Sequence, residues 1–418
     1  MCYKTTKMKL IGPFRQIITL ANLPLKGALK DEQLEIISDG GILIDNDKII
    51  EVDLFENLKS NYPTAIIELI ESEQVLLPGF IDSHTHICFG GNRSKDFAMR
   101  LNGKTYLEIT ESGGGIWSTV TQTRAKTADE LKDITLVRAD ILAKKGTTTA
   151  EVKSGYALSV EGEIAMLEGI NLANQECEID LIPTFLGAHM KAKDFKGTNQ
   201  EYLEILVKEA FPIIKQKQLT NRVDIFVEQS AFSVSEGDYF LNEAKKQGFD
   251  ITVHADQFTT GGSNLAIKYN ALSADHLEFS TEKEIHELSF SDVVATVLPG
   301  ASIGLGMQYS PARKLLDAGC CVSIASDWNP GSAPMGDLLT QASILATFEK
   351  LSMAEILSAI TFRAAKALKL TDRGILEKGM KADFISFPTS EFQNIIYYQG
   401  QMQPCNVWKN GNLIHNNQ

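Results

Sequence analysis

The sequence predicts an α/β protein, a (β/α)8 barrel carrying a small β-sandwich-like domain formed from both chain termini. Three observations predict it. At 418 residues the chain is too long for one small domain and suits a large barrel with an appendage. From Val75 onward, strand-like apolar runs alternate with longer helical stretches, the signature of βα units on a parallel sheet. The two ends of the chain read instead as short strands and turns, and so resemble each other more than the middle.

In chain order, the apolar runs 41–44 and 48–52 flank the turn cluster Asp45-Asn46-Asp47 and predict a hairpin. Eight strands are then expected at 78–82, 147–152, 180–184, 222–226, 250–254, 274–276, 293–298 and 321–326. Helical stretches are expected at 128–144, 162–177, 200–215 and 235–246, with a closing helix at 352–368. After Gly379 the texture returns to strands at 383–388 and 406–414, the latter folded at Lys409-Asn410-Gly411. The expected division is a small β domain from 1–77 and 380–418, with the barrel at 78–379 inserted into it.

A formal net charge of −13 with no long basic run argues against nucleic acid and anionic membranes as partners and for a small-molecule substrate. Residues 1–20 contain no apolar stretch of signal-peptide or membrane-span length, so a cytoplasmic location is expected; Met8 is a second candidate start. The six cysteines show no C-x-x-C pairing and read as free thiols rather than a disulfide framework or zinc ribbon.

Histidine is scarce, with seven residues, and most stand where a strand should end. His84 and His86, two apart on an extended chain, point to one face and can reach one ion. Taken alone that pair is weak, since strand histidines are often only packed. His254 and His276 end two later strands, and Asp327 ends the last. In a barrel all these ends converge on one face, so three imidazoles and a carboxylate would share a site suited to Zn²⁺ or Fe²⁺. His286 and His415 have surface-like contexts. Lys153 also ends a strand; it is either a carbamylated bridge between two metals or a lysine packed and paired beside the site, and the single visible ligand set favours the second. Arg93 has two readings as well, a surface or ion-paired arginine or a two-pronged carboxylate binder.

These residues resemble the amidohydrolase superfamily, and within it the family that opens 4-imidazolone-5-propanoate during histidine degradation. The resemblance covers nearly the whole chain. It rests on LPGFIDSHTH at 77–86, FGGNR at 89–93, TYLEI at 105–109, GGGI at 113–116, EVKSGY at 151–156, FLGAH at 185–189, HADQ at 254–257 and SDWNPGS at 326–332. It implies one divalent metal on His84, His86, His254 and Asp327, with Asp327 and His276 as the catalytic residues beside a metal-activated water. It implies Arg93 as the receiver of the substrate's propionate and Tyr106, Tyr156 and His189 around its ring. It implies Asn329, Gly331 and Ser332 as contacts on the loop after Asp327, and a homodimer. Gln257 departs from relatives that carry glutamate there; an amide cannot be a general base, so it is expected only to orient substrate. The Gly113-Gly114-Gly115 run lacks the Lys-Ser/Thr of a nucleotide loop and reads as a flexible active-site loop.

The implied reaction is hydrolysis of the ring's amide C–N bond, giving N-formimidoyl-L-glutamate. A deaminase acting on a nucleobase-like ring is the nearest rival, and it would not need Arg93. A non-catalytic binding protein on the same fold is the other, and it would be expected to lose metal ligands that this chain keeps.

Overall fold

The computed structural model describes residues 8–417. Eight parallel strands follow one another around a barrel in chain order. They are β1 (Phe80–Asp82), β2 (Thr147–Lys153), β3 (Asp180–Ala188), β4 (Arg222–Phe226), β5 (Asp250–Ala255), β6 (Ser273–His276), β7 (Val294–Val297) and β8 (Val322–Ile324). Each lies where an apolar run was expected, buried on both faces as parallel strands under helices must be. The seam between β1 and β8 closes just beyond the strands. There Asp327 donates its backbone N–H to His84 (3.0 Å) and His86 donates to Trp328 (3.0 Å), so the closing contacts are made by the site residues themselves.

The two ends of the chain form a second sheet. Its strand Val75–Pro78 pairs in parallel with Lys9–Ile18 and antiparallel with Phe384–Phe387, and so stitches both termini together. Ile36–Asp45 and Lys48–Leu54 form the expected hairpin, and Asn406–Lys409 and Asn412–Asn416 a second one. The run expected as one strand at 78–82 is split at Gly79, where the chain passes from this sheet into β1; a Cβ there would collide with Thr148. Phe14, Leu76, Phe384 and Trp408 pack together on one face of the sheet. Lys409 joins sheet to barrel through Asp383 (2.6 Å) and Asp180 (2.8 Å).

Five helices start on a capping box that is readable in the sequence, Thr127-x-x-Glu130, Thr198-x-x-Glu201, Ser233-x-x-Glu236, Thr281-x-x-Glu284 and Ser352-x-x-Glu355. In each, two backbone donors that the helix cannot satisfy are satisfied by side chains. The helix expected at 200–215 contains a π turn, Leu206–Ala210. The one expected at 352–368 breaks after Ala359, because Thr361 leaves helical geometry and turns its hydroxyl back to the Leu357 carbonyl (2.5 Å). Three helices not foreseen lie between β1 and β2: Ser94–Leu101, Tyr106–Glu111 and Ile116–Arg124. The glycine run at 113–115 is the turn between the last two, tied down where the Gly115 N–H meets Asp96 (2.8 Å). Among the described residues no helix is long and apolar enough to cross a membrane. The described cysteines, Cys88, Cys177, Cys320, Cys321 and Cys405, are free; Cys2 lies outside the described residues.

Candidate active site

The C-terminal ends of β1, β5 and β8 bring His84, His86, His254 and Asp327 together, all buried. The Nε2 atoms of His84 and His86 lie 3.2 Å apart, and those of His86 and His254 3.4 Å apart. Asp327 Oδ1 is 3.7 Å from the first and 3.5 Å from the second. Two nitrogens held at bond length by one tetrahedral ion sit about 3.3 Å apart, so this spacing is that of ligands on a common centre.

The far sides of two rings show why the nitrogens face each other. His84 Nδ1 is 2.7 Å from Asp275 Oδ2, and His254 Nδ1 is 2.8 Å from Asp224 Oδ2. Each carboxylate holds the ring proton on Nδ1 and leaves the Nε2 lone pair turned inward. Burial, joined by the Lys153 charge and the neighbouring histidines, pushes His84 well below its usual pKa; burial and the neighbouring histidines do the same for His86. Neutral lone pairs directed at one point repel unless a cation stands there. The donor set therefore fits a divalent metal.

Lys153, at the end of β2, sits beneath this set with its ammonium 2.8 Å from Glu151, 2.8 Å from Asp224 and 3.7 Å from Asp275. Burial opposes its charge, but the three carboxylates outweigh that and raise its pKa. It pairs with the two aspartates that brace the histidines, as the packed-and-paired reading expects.

His276 ends β6 with a backbone φ of +87°, and Asp327 has φ +52°, both in the left-handed region that non-glycine residues rarely adopt. Such conformations persist where surrounding structure imposes them, and they cluster at functional sites. Nδ1 of His276 is 3.3 Å from Glu278, which raises the ring's pKa against the effect of burial. Burial raises Asp327 to about 7, with the His276 charge working the other way.

A cavity of about 190 Å³ opens over these groups. Arg93, Tyr156, His189, Gln257, Asn329, Gly331 and Ser332 line it, so the described residues expected around the substrate do share one space with the metal-binding set. The His189 ring stacks on His86 at 5.6 Å, is held by its Nδ1 to the Gly155 carbonyl (2.9 Å), and is lowered to about 4 by burial. Asn329 spends its side chain on its own loop: it donates to the Asp327 carbonyl (2.7 Å) and accepts from the N–H groups of Gly331 and Ser332 (2.7 and 2.8 Å). Gly331 packs so close to Arg93 that a Cβ would lie 2.5 Å from its Nη1. The Tyr106 side chain lies outside the described residues. His286 is exposed, and His415 faces Asp140 (3.4 Å) away from the cavity.

Sequence reasoning missed Asp224, Asp275, Asp96 and Arg100. Asp224 and Asp275 each sit inside a buried apolar strand, where a charge needs a partner, and that was the available signal. Asp96 accepts from Arg93 Nε (2.8 Å), and Arg100 lines the cavity. Both depend on a helix that was not foreseen.

The amidohydrolase family pattern matches residues 75–414 of this chain. The chain belongs to the amidohydrolase family. Solved structures of atrazine chlorohydrolase from Arthrobacter aurescens complexed with zinc (18% identity, 98% of this chain and 95% of that one, TM-score 0.72) and of an adenosine deaminase from Xanthomonas campestris with bound zinc (16%, 98% and 93%, TM-score 0.71) share its fold. Its sequence places it more narrowly. It is 38% identical to imidazolonepropionase from Bacillus cytotoxicus over 93% of both chains, and 38% identical to that of Fusobacterium nucleatum over 92% of this chain and 94% of the other. Within the amidohydrolases it is a member of the imidazolonepropionase family.

Proposed function

We propose that the protein hydrolyses 4-imidazolone-5-propanoate to N-formimidoyl-L-glutamate, adding water across the ring's amide C–N bond. The observation that carries this reading is the presence of Arg93 in one cavity with three inward-facing histidines and Asp327. A divalent ion, zinc or iron, on His84, His86, His254 and Asp327 would supply Lewis acidity and lower the pKa of a water to near neutrality.

The chain's own residues supply the rest. Asp327 takes the water's proton as the carbonyl carbon is attacked. His276, held by Glu278, donates a hydrogen bond to the oxygen that gains charge. When the C–N bond breaks, Asp327 returns the proton to the departing nitrogen. Tyr156 and His189 enclose the ring, Ser332 and Gln257 orient it, and Arg93 receives the propionate with its terminal nitrogens, since Asp96 occupies Nε. Lys153 has no place among the metal ligands in this scheme. A homodimer belongs to the reading on family resemblance alone, and sedimentation checks it.

The test is the decay of substrate absorbance on adding enzyme, with and without chelator; metal-free protein of full activity overturns the reading. Arg93→Ala should raise KM for the propionate substrate by roughly 10- to 100-fold, the effect of removing a charge-assisted hydrogen-bond pair. A deaminase of carboxylate-free rings would show no such change. His276→Ala should lower kcat by about 10²- to 10³-fold, as loss of one oxyanion donor does elsewhere.

A further inference from the structure

The helix Ser94–Leu101 begins at Arg93, and seven residues on, two turns along the same face, stands Arg100. Both guanidinium groups line the cavity above the candidate metal ligands, and both approach the same backbone unit. Arg93 Nη1 occupies the space a Gly331 side chain would need, 2.5 Å from where a Cβ would stand, and Arg100 Nη2 donates a long bond to the Gly331 carbonyl (3.4 Å).

Among the described residues one carboxylate, Asp96, acts on both of these cations. Asp96 lies between them in sequence and takes the Nε of Arg93 at 2.8 Å, while its same oxygen accepts the Gly115 N–H at 2.8 Å. Burial and the nearby Arg93 charge both make it harder for Arg100 to hold its proton, with Asp96 acting the other way. Among the described residues, one anion thus faces two partly buried cations at this end of the cavity.

We infer that Arg100 is a second arm of the substrate's carboxylate site, gripping the propionate with Arg93 from the opposite side of Gly331 and setting the specificity for an anionic side chain. This rests on the proposed function for the identity of the substrate. The carboxylate sits where two forks converge, Asp96 orients the first fork, Gly331 leaves room for it, and the Gly331 carbonyl steadies the second. Arg100 thus selects substrates by charge and leaves the bond-breaking groups untouched.

The experiment uses the metal-loaded protein and two variants, Arg100→Gln and Arg100→Lys. In Arg100→Gln, KM for 4-imidazolone-5-propanoate should rise roughly 10- to 100-fold with kcat changed only slightly, as for loss of a charged hydrogen-bond partner. Arg100→Lys should recover part of that loss, because it restores the charge without the fork. The corresponding propionamide should show the same KM with wild type and Arg100→Gln. Unchanged KM for the acid, or an equal rise for acid and amide, overturns the inference. Calorimetric binding of 3-(imidazol-4-yl)propanoate, which does not react, reads the clamp without turnover. If the wild type fails to hydrolyse 4-imidazolone-5-propanoate but binds 3-(imidazol-4-yl)propanoate more tightly than Arg100→Gln does, the clamp stands and the proposed reaction falls.

Discussion

The four candidate metal ligands project from strand ends with side chains no more than 3% exposed, whereas Arg93 and Asp96, at the start of a surface helix, remain 15% exposed. The first group is braced twice over: Asp275 and Asp224 fix two histidine rings, and Lys153 holds both aspartates. The second is held by the Arg93–Asp96 pair itself and the Gly115 N–H donated to Asp96. The contrast follows from what each end must do. Ligands on one ion tolerate little displacement, so they grow from the stiffest part of the fold. A carboxylate that must enter and leave is met by long side chains on a helix that solvent can reach.

The largest effect should come from breaking the brace. Lys153→Met leaves Glu151, Asp224 and Asp275 buried without their shared cation, and removal of one partner from such a cluster typically costs about 3–5 kcal/mol. Thermal unfolding and metal content of the purified variant read it, and a variant of wild-type stability with a full complement of metal would show the brace to be dispensable. A smaller effect concerns pH. A ligand must be deprotonated to bind metal. With Asp327 raised to about 7 in the metal-free protein, a proton competes at this position below that pH and not above it. The apparent metal affinity should therefore fall by roughly tenfold per pH unit on going below 7, the limit for one competing proton, and level off above it. His84, lying well below its usual range, adds nothing near neutrality. A metal titration between pH 5.5 and 8.5 that stayed flat would remove Asp327 from the ligand set. The smallest effect belongs to the helical end. In Gly331→Ala the added methyl pushes on a flexible arginine tip, so KM should rise a few-fold with stability nearly unchanged. An effect on kcat instead would mean that the loop positions Asp327 rather than Arg93.

The same contrast decided what could be read from sequence. His84, His86, His254, His276 and Asp327 announced themselves because each ends an apolar run, and a barrel sends all such ends to one place. The eight barrel strands were legible for the same reason. Arg100 was not: its contribution depends on a helical phase within 94–101, a half-exposed segment whose apolar side chains Phe97 and Leu101 stay exposed and mark no core-facing side. Asp224 and Asp275 were hidden differently. Their partners, Lys153 and two histidines, come from other strands, so no spacing along the chain links them. Gly331 could be singled out only by resemblance; its physical role is to make room for Arg93.

The strand Val75–Pro78 has a consequence for how the protein is made. It leads through Gly79 directly into the segment bearing His84 and His86, and its antiparallel partner is Phe384–Phe387, near the far end of the chain. During synthesis the residues that begin the metal site emerge after the parallel partner Lys9–Ile18 but long before the antiparallel partner Phe384–Phe387. Asp327 arrives late as well. A growing chain therefore holds the strand that leads to two of its histidines paired on one side only until Phe384–Phe387 is made, and completion of the metal site precedes that second pairing.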